Sequence, residues 1–427
     1  MDIAVIGAGY VGLVAAVCLA KSGHMVTCIE KDKNKIEMMD RGHTPFFEES
    51  LDELLKTALM TERLDFKQAL SEVKWPEIII VAVGTPTLPG GRVDLSQVNM
   101  ALAEIAGFSK PVTVVMKSTV TPGTGRRLKE KYLRNNNQQY VSNPEFLREG
   151  KAVYDWFNPD RIIIGGDRKA AGQIMEIYSD IDAPVILTDI SSAEMIKYSS
   201  NAFLATKISF INEIANLCEY VGADIDDVAN GLGMDRRIGK DFLKAGLGYG
   251  GSCFPKDTRA LDYLSSVNGY NFSLLRAVID VNNKQKLRVI QKLRWVLGDI
   301  SGRNVAVLGL AFKPGTDDIR ESPALEIINL LAEEGVQVAV YDPVALRKAC
   351  SHLPNHVICS DSAEQAISGS HAVILTTEWE QFIKLDWQKL KELMKEPYLI
   401  IDGRNCLPAE KLRQFGYRYV GIGRLAE

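Results

Sequence analysis

The chain has 427 residues, of which 46% are hydrophobic and 24% charged, and 50 Lys and Arg against 54 Asp and Glu residues give a formal charge of −4. A chain of this length predicts two or three domains with sizeable cores. Nucleic-acid binders and proteins of anionic membrane surfaces normally carry a basic surplus, so the near-neutral balance argues against both classes. We therefore expect a small-molecule partner.

The residues that most often form cross-links, metal sites or membrane spans give little signal. Seven cysteines without a CxxC pair do not predict a disulfide framework, which favours a reducing, cytoplasmic location. The five histidines lack HxxxH or HExxH spacing, so no metal site is predicted. The uncharged stretch from Ile3 to Ala20 approaches the length of a membrane helix, but Gly7, Gly9 and Gly12 interrupt it. It is better interpreted as a buried strand, a glycine turn and the start of a helix.

The first part of the chain alternates between short β-rich apolar runs and segments of helix length. The predicted strands are Ile3–Ile6, Met25–Ile29, Glu77–Val83, Val112–Lys117 and Arg161–Gly165. This alternation is typical of a doubly wound parallel sheet, in which helices cover both faces.

From about Ser191 to Leu297 the β-rich runs stop, and long stretches such as Glu194–Glu219 and Leu274–Trp295 have helical apolar spacing. We therefore predict a central helical domain in this region. Strand signals return after it, at Asn304–Leu310, Gln337–Tyr341, Ala372–Thr376 and Tyr398–Asp402.

The two ends of the chain resemble each other. Ile3–Gly7 reads like Val305–Gly309, and Cys28-Ile29-Glu30 reads like Val340-Tyr341-Asp342. The predicted fold is therefore α/β, with two Rossmann-like doubly wound parallel-sheet domains joined by a central helical domain. The expected boundaries are 1–193, 194–298 and 299–427.

The sequence GAGYVG follows the first predicted strand and opens a helix, which is the context expected of a dinucleotide-binding turn. In this interpretation Gly7 permits the tight turn, Gly9 lets a pyrophosphate approach the backbone, and Gly12 lets the helix pack on the strand. Glu30 ends the second strand, where a carboxylate would bind the ribose hydroxyls and repel a 2′-phosphate. The pattern favours NAD over NADP, although Lys31 and its lysine neighbours weaken that preference.

A nucleophile candidate lies in a glycine-rich segment. Gly248-Tyr249-Gly250-Gly251-Ser252 leads into Cys253, and Lys256 is close enough in sequence to lower the thiol pKa. Free cysteines are more often buried packing residues, and spacing alone does not decide between the two roles.

Three further segments are candidates for chemistry. Lys197 and Asn201 are four residues apart on one predicted helix face, where they would either stabilise an oxyanion or form an ordinary solvated face. Asn143–Gly150 sets two carboxylates beside an arginine, which is also common in charged turns. Gly84-Thr85-Pro86 and Ser118-Thr119-Val120 follow strands at the edge where open α/β sheets bind ligands.

Taken together, these segments resemble the UDP-glucose/GDP-mannose dehydrogenase family of nucleotide-sugar dehydrogenases. The motifs occur in the family's order over nearly the whole chain, and they read GAGYVG, VGTP, STV, SNPEFLREG, EMIKYSSNAF, GYGGSCFPKD, AFKPGTDDIRESP and DGRN. Glu30 stands where an aspartate is usual in the family. The wording of the motifs is most similar to that of members acting on UDP-glucose.

The resemblance implies an NAD-dependent, four-electron oxidation of UDP-glucose to UDP-glucuronate, through a thiohemiacetal and a thioester on Cys253. It implies that Lys197 and Asn201 stabilise the oxyanion, and that Asp257, Thr119 and Glu145 support proton transfer and water activation. Lys197, Asp257 and Glu145 all remain open as the acceptor of the first alcohol proton.

The resemblance also implies a set of binding residues. Beside the glycines, the NAD contacts would be Val11, Glu30, Lys35, Thr85, Thr119, Glu149, Lys256 and Arg320. Contacts with the nucleotide sugar would come from Glu145, Phe146, Leu147, Arg148, Lys197, Asn201, Phe242, Lys244, Tyr249, Gly250, Phe312, Lys313 and Arg404. Arg237 corresponds to a residue that reaches the sugar from a neighbouring subunit, so a homodimer built on the long middle helix is expected.

Three alternatives remain open at this stage. The same chemistry would serve another nucleotide sugar, such as GDP-mannose or UDP-N-acetylmannosamine. A two-electron β-hydroxyacid dehydrogenase shares the dinucleotide fold and a catalytic lysine, but needs neither Cys253 nor a second α/β domain. A non-catalytic NAD-binding redox sensor would use Cys253 as a regulatory thiol, but would not require Lys197, Asn201 and Asp257.

Overall fold

The computed structural model describes residues 1–108, 110–133 and 138–424. These residues form two compact units, Met1–Ser200 with Arg259–Gly269, and Asn201–Thr258 with Tyr270–Glu427. Within them, no helix is long and apolar enough to cross a membrane, and the stretch from Ile3 to Ala20 is a strand, a turn and a helix as predicted.

An eight-stranded sheet forms the centre of the first unit in the described part of the chain. Its strands are β1 Asp2–Ile6, β2 Met25–Ile29, β3 Leu64–Lys67, β4 Ile78–Val81, β5 Thr113–Met116, β6 Gln139–Ser142, β7 Ile162–Gly165 and β8 Val185–Thr188. The accompanying helices are α1 Tyr10–Lys21, α2 Lys33–Asp40, α3 Leu51–Met60, α4 Ser96–Ala106, α5 Thr124–Tyr132, α6 Ala152–Phe157 and α7 Arg168–Glu176. Short 3-10 turns cover Leu70–Glu72 and Pro89–Gly91.

The strand order in this sheet is β3-β2-β1-β4-β5-β6-β7-β8. The predicted parallel pairing is confirmed with one exception, because β7 runs antiparallel to β6 and meets it only at Ser142 and Gly165. Successive residues of β1 belong to separate apolar clusters, Ile3 to one and Ala4 to the other. The sheet is thus covered by core residues on both faces, as a doubly wound fold requires.

Long helices follow the first sheet, which agrees with the predicted helical character of this region. They are α8 Ile190–Val221, α9 Ile225–Met234, α10 Phe254–Val267, α11 Ser273–Gln285 and α12 Leu287–Leu297. Within the second unit, Glu219 of α8 accepts hydrogen bonds from Arg288 and Lys292 of α12 and from the backbone N–H of Gly423. One carboxylate therefore ties the long helix to its neighbour and to the end of the chain.

A six-stranded, all-parallel sheet forms the rest of the second unit in the described residues. Its strands are β9 Asn304–Leu308, β10 Gln337–Tyr341, β11 Ile358–Cys359, β12 Ala372–Leu375, β13 Leu399–Asp402 and β14 Arg418–Gly421. The helices are α13 Pro323–Glu333, α14 Leu346–Cys350, α15 Ala363–Ile367, α16 Glu380–Ile383, α17 Trp387–Leu390 and α18 Ala409–Gln414, with a 3-10 turn at Lys391–Leu393.

The order of this sheet, β11-β10-β9-β12-β13-β14, repeats the order of the first six strands of the other sheet. The first turn is repeated too, because Gly7 has φ +101° and Gly309 has φ +99°. Each sheet also ends its second strand near a carboxylate that accepts a backbone N–H from the residue after that glycine, Glu30 from Ala8 and Asp342 from Leu310. The predicted second Rossmann-like fold is therefore confirmed.

The Asp342 carboxylate accepts more hydrogen bonds than the Glu30 carboxylate does. Its side chain accepts hydrogen bonds from the backbone N–H groups of Leu310, Ala311, Val344 and Ala345, and from the indole of Trp379. Because a carboxylate offers about four lone-pair sites, these five donors use its whole capacity.

The expectation of no disulfide framework needs one correction. Cys350 at the end of α14 and Cys359 in β11 form a disulfide across a separation of nine residues. The chain returns to the edge of the sheet between them, so the two Cα atoms lie 6.4 Å apart, which the spacing alone does not indicate.

Candidate active site

The predicted dinucleotide turn has the geometry that a pyrophosphate requires. A Cβ atom at Gly12 would lie 1.9 Å from the carbonyl oxygen of Gly7, which explains why the helix can approach the turn so closely. A Cβ at Gly9 would meet nothing within 4 Å, so the space beside the helix start is open. Gly9 supplies no side-chain cap to α1, and the first N–H groups of the helix suit an anionic ligand. These features fit NAD.

Other predicted NAD contacts surround this edge of the first sheet. The Glu30 carboxylate accepts backbone N–H groups from Ala8 at 3.3 Å and from Lys31 at 2.8 Å. The Thr85 hydroxyl donates to the carbonyl of Thr119 at 2.9 Å, which joins the ends of β4 and β5. Predicted contacts at partly exposed positions of the same unit are Val11 and Lys35.

A buried ion pair lies at the carboxyl end of the first sheet. Lys197 Nζ donates to Glu145 Oε1 at 3.1 Å, and the second carboxylate oxygen accepts the backbone N–H of Leu147 at 2.7 Å. The ammonium also lies 5.2 Å from the centre of the Phe146 ring. The sequence-predicted residues Glu145 and Lys197 are therefore brought together as a buried ion pair.

The remaining residues of the Asn143–Gly150 segment are held by neighbours in the first unit. The Arg148 guanidinium forms two hydrogen bonds with Asp155, at 2.9 and 2.6 Å, and this interaction raises the pKa of Arg148. Its side chain is still 58% exposed. Glu149 is 9% exposed, and the backbone N–H of Gly150 donates to Glu48 at 2.7 Å. The segment is thus a fixed loop rather than a loose charged turn.

The second unit contains the thiol. Cys253 immediately precedes α10, is not part of a disulfide, and is partly exposed. Its carbonyl accepts the N–H of Asp257, so the carboxylate lies one turn along the same helix. Asp257 is 1% exposed and accepts hydrogen bonds from Asn201 Nδ2 and Lys256 Nζ, each at 2.6 Å. Three predicted residues, Asn201, Lys256 and Asp257, therefore form one cluster next to Cys253 in sequence.

Glycines let the segment before Cys253 pack against the backbone of a neighbouring loop. A Cβ at Gly250 would lie 2.2 Å from the carbonyl oxygen of Glu321, and one at Gly251 would lie 2.8 Å from the Phe312 ring. The N–H of Gly251 donates to the carbonyl of Arg320 at 2.9 Å, and Asn282 bonds both backbone groups of Tyr249. Phe312, Arg320, Tyr249 and Gly250 were each predicted to contact ligand, and this packing brings them together.

Three of the predicted cations lie in the same unit. The Arg404 side chain donates to the carbonyls of Thr376 and Phe312, at 2.7 and 3.2 Å. Arg320 is paired with Asp318 at 2.7 Å but remains 60% exposed. Lys313 Nζ lies 5.2 Å from the centre of the Phe312 ring.

The last predicted residues are more exposed. Phe242 has φ +62° and its ring lies 6.1 Å from that of Phe254, while Lys244 is exposed. Arg237 is 89% exposed and paired with Asp235 on its own turn, so within this chain it does not join the other predicted residues of its unit.

Glu194 was not predicted to have a role, although its motif was recognised. It is 3% exposed, and its carboxylate accepts the backbone N–H groups of Gly123 and Gly125, each at 2.7 Å. The sequence signal that could have indicated a role for Glu194 was its position three residues before Lys197, on the same face of α8. Its partners lie about seventy residues earlier in the chain, which no local pattern reveals.

Comparison with protein families accounts for the order of these segments. Residues 1–182 match the NAD binding domain of the UDP-glucose/GDP-mannose dehydrogenase family, residues 191–284 match its central domain, and residues 306–409 match its UDP binding domain. These matches confirm NAD as the predicted cofactor and a nucleotide-binding role for the C-terminal sheet.

Individual relatives match over nearly their whole length. UDP-glucose 6-dehydrogenase TuaD of Bacillus subtilis strain 168 is 45% identical, over 99% of this chain and 93% of that protein. A UDP-glucose dehydrogenase structure from Pyrobaculum islandicum has a TM-score of 0.92 at 38% identity, and covers 99% of this chain and 98% of that one. A UDP-D-ManNAc dehydrogenase structure from Pyrococcus horikoshii has a TM-score of 0.89 at 28% identity, with 99% of both chains covered. The chain belongs to the UDP-glucose/GDP-mannose dehydrogenase family.

Proposed function

We propose that this protein oxidises UDP-glucose to UDP-glucuronate in two successive dehydrogenations. The observation that carries the proposal is the position of Cys253, a thiol outside any disulfide at the start of α10, with a buried carboxylate one turn further on. A single oxidation to an aldehyde needs no such thiol. A second oxidation does, because the aldehyde must first be held as an adduct that can lose another hydride.

NAD, when bound, accepts the hydride removed in each oxidation. The primary alcohol of the sugar first loses a proton and a hydride and becomes an aldehyde. The Cys253 sulfur then bonds to the aldehyde carbon, and its oxygen takes up a proton to give a thiohemiacetal. Loss of that proton and of a second hydride gives a thioester. Water adds to the thioester, the carbon–sulfur bond breaks, and the carboxylate and the free thiol are released.

The polar clusters of the two units supply the remaining roles. The ammonium of Lys197 stabilises the negative oxygen of the alkoxide and of the thiohemiacetal, and the Asn201 amide assists. Glu145, which bonds Lys197, and Asp257 are the carboxylates available for proton transfer and for activation of water, together with the Thr119 hydroxyl. Lys256 donates a hydrogen bond to Asp257. Its ammonium group therefore interacts with that carboxylate in addition to its proposed contact with NAD.

The proposed binding residues follow from the same assignment. Lys313 and Arg404 bind the diphosphate, since charge-assisted contacts from two cations give both affinity and register. The remaining sugar-nucleotide contacts are proposed at Glu145 to Arg148, Phe242, Lys244, Tyr249, Gly250 and Phe312. The remaining NAD contacts are proposed at Val11, Glu30, Lys35, Thr85, Thr119, Glu149, Lys256 and Arg320.

The sugar is the part of the proposal with a specific rival. The UDP-D-ManNAc dehydrogenase of Pyrococcus horikoshii has nearly the same backbone, at 28% identity. UDP-glucose is favoured because the relatives named for it are more similar, at 45% for the Bacillus subtilis protein and 38% for the Pyrobaculum islandicum structure.

The deciding experiment measures NADH formed per UDP-glucose consumed, with NAD in excess and sugar limiting. Two NADH per sugar, with UDP-glucuronate as the product, is the expected result. One NADH with release of an aldehyde would overturn the thioester mechanism. No NADH from UDP-glucose, together with turnover of UDP-N-acetylmannosamine or GDP-mannose, would overturn the substrate assignment and retain the chemistry.

The protein is further proposed to be a homodimer that uses the exposed face of α8. Phe203, Phe210 and Leu217 are spaced by seven residues, which sets them on one side of the helix, and they are 66%, 51% and 56% exposed. Three large apolar side chains in a row are unusual on a free surface and suit a second copy of the same helix. Arg237, 89% exposed, is available to reach the partner's sugar.

A complementation experiment tests the role of Arg237. Cys253→Ala and Arg237→Ala chains, each inactive alone, are mixed and allowed to exchange subunits. If Arg237 acts across the dimer, half of the random dimers carry one intact site, and about a quarter of wild-type activity returns. If it acts within its own chain, mixing restores nothing.

Two broader assignments complete the proposal. The functional boundaries are 1–193 for NAD binding, 194–298 for the helical domain, and 299–427 for nucleotide-sugar binding. The protein works in the cytoplasm, where NAD and nucleotide sugars are available together.

A further inference from the structure

Glu194 is a buried carboxylate that the proposed chemistry does not use. It lies on α8, three residues before Lys197, and is 3% exposed. Oε2 accepts the N–H of Gly123 and Oε1 accepts the N–H of Gly125, both at 2.7 Å. Burying a carboxylate is unfavourable unless it is bonded, so the retention of this one calls for an explanation.

The two N–H groups belong to the start of α5, and the loop before it carries Thr119. At its other end this loop is held by the segment after β4, because the Thr85 hydroxyl donates to Thr119 O at 2.9 Å and the Ser118 hydroxyl donates to Val83 O at 2.8 Å. Glu194 is therefore the second attachment of the loop. It joins the loop to the helix that carries Lys197, and Thr119, Glu194 and Lys197 line the same small cavity.

The contact between Glu194 and α5 depends on the absence of a side chain at Gly125. A Cβ atom at Gly125 would lie 2.5 Å from Glu194 Oε1 and 2.8 Å from the Tyr140 hydroxyl, so the glycine provides the room that the carboxylate needs. The fit between one glycine and one acid is specific, because a residue with any side chain at 125 would displace the contact.

The charged groups around Glu194 come from three elements. Arg126 and Arg127 of α5 favour the ionised form, Tyr140 of β6 faces it, and Lys197 of α8 lines the same cavity. Burial outweighs the two N–H bonds and the arginines, and raises the pKa of Glu194 to about 7. The same surroundings raise the pKa of the Tyr140 phenol. Glu194 therefore changes its charge in the pH range where a dehydrogenase works.

We propose that Glu194 is a positioning residue, which in its ionised form fixes the Thr119 loop to the helix bearing Lys197. The proposal rests on the proposed function, in which both of those residues take part. A carboxylate accepts two N–H groups at once, and charge-assisted bonds of this kind are about twice as strong as neutral ones. A protonated carboxyl group carries an O–H in place of one acceptor, so the loop loses one of its attachments.

The test compares Glu194→Gln and Glu194→Asp with wild type, and uses Glu104→Gln as the matched control. Glu104 lies on α4, is exposed and has no proposed role. A glutamine keeps the shape but offers one acceptor oxygen, and a displacement of reacting groups by about 1 Å costs up to about a hundredfold in rate. We expect kcat to fall by about tenfold to a hundredfold in the glutamine variant, with KM for UDP-glucose nearly unchanged.

The pH profile distinguishes positioning from a general structural role. In wild type, kcat falls as the pH drops through about 7, because the ionised form is the competent one. This decrease of kcat below about pH 7, the acidic limb of the profile, is absent from the glutamine variant. The aspartate variant remains ionisable, so it recovers part of the rate and keeps the acidic limb. A glutamine variant with wild-type kcat, or one with lowered kcat that retains the limb, would overturn the proposal.

A second readout does not depend on turnover. Hydrogen exchange across residues 118–128 is slow in wild type above pH 7 and faster in the glutamine variant, because one of the two N–H groups loses its acceptor. Unchanged exchange would also overturn the proposal. If the loop responds as expected but UDP-glucose is not oxidised, the proposed function fails and the positioning role of Glu194 in the fold stands.

Discussion

Lys197 Nζ donates to Glu145 Oε1 at 3.1 Å, and the two side chains are only 5% and 6% exposed. Charges taken this far out of water attract each other strongly, but each also carries a desolvation cost that its interactions must offset. A buried pair of this kind is therefore weak evidence for stability, although the loss of one partner is strongly destabilising.

Removing one member of this pair should be costly. Lys197→Ala leaves the Glu145 charge buried without this partner, and we expect a loss of about 3–5 kcal/mol in stability. Lys197→Met combined with Glu145→Gln should cost less than the single change, because no unpaired charge remains. Lys284→Ala, which breaks the exposed pair with Asp280, is the control and should leave the stability nearly unchanged. Calorimetric melting of the variants gives these values, and equal losses for the single and double variants would contradict the argument.

Cys253→Ala should abolish the net four-electron reaction. Loss of the nucleophile removes the covalent route to the second oxidation, and we expect formation of UDP-glucuronate and of the second NADH to fall by at least about a thousandfold. Binding of UDP-glucose, measured by titration calorimetry, should change by less than about threefold, since the thiol is not among the proposed diphosphate contacts. A variant that still forms two NADH per sugar would remove Cys253 from the mechanism, whereas poor binding would show that the thiol also contributes to substrate binding.

Gly12→Ala should prevent NAD binding and destabilise the first unit. The added Cβ would lie 1.9 Å from the backbone oxygen of Gly7, so the helix and the turn have to separate. Gly172→Ala, inside α7 with nothing within 4 Å of the new atom, is the matched change and should be neutral or stabilising by up to about 1 kcal/mol. Fluorescence titration with NADH and thermal melting distinguish the two, and normal NADH binding by the Gly12 variant would refute the proposed cofactor site.

Phe210→Asp should convert the expected dimer to a monomer. The change introduces a charge into the middle of the exposed row on α8, where it would have to be buried against a partner. Met60→Asp is the control, since Met60 is 85% exposed at the end of α3 and is not part of that row. Sedimentation velocity reports the mass. An unchanged dimer would show that another surface forms the interface, whereas a monomeric wild type would remove the dimer proposal.

The stability of Glu194→Gln relative to wild type should rise with pH, while its rate is lower. Folding raises the pKa of this carboxyl group from 4.5 to about 7, so its protonation stabilises the folded state. This contribution is fully present below pH 4.5 and is lost as the pH rises to about 7. A shift of this size corresponds to about 3 kcal/mol above pH 7. The melting temperature of the variant relative to wild type should therefore increase between pH 5 and pH 8. A difference that is constant with pH would show that Glu194 is ionised throughout.

The sequence predicts regular, buried elements well. The bounds of β2 and β10 are those expected, and the similarity between Ile3–Gly7 and Val305–Gly309 reflects a fold that occurs twice. The strands that were not predicted are short or carry polar ends. Examples are Leu64–Lys67, where alternate residues are charged, and Gln139–Ser142, where two apolar residues stand between polar ones.

The site shows a different limit. Catalytic candidates stand in recognisable motifs, because the chemistry dictates residue types at fixed spacing, as in Cys253, Lys256 and Asp257. Residues that position the catalytic candidates do not stand in recognisable motifs, because their partners are backbone N–H groups far away in sequence. Glu194 depends on Gly123 and Gly125, and the disulfide of Cys350 depends on where β11 pairs in its sheet. Such contacts are set by the tertiary fold.

All hydrogen-bonding capacity of the Asp342 carboxylate is used within the protein, and this affects how the chain can bind both NAD and a nucleotide sugar. A second copy of a dinucleotide-binding fold would ordinarily offer NAD a second binding site, here at the C-terminal sheet. NAD bound there would compete with the nucleotide sugar and slow the enzyme at high cofactor concentration. With five donors already on Asp342, an adenosine ribose finds no acceptor at the end of β10. The second sheet thus keeps the duplicated fold, while the carboxylate after β10 is bonded to its own loops rather than available to a ribose.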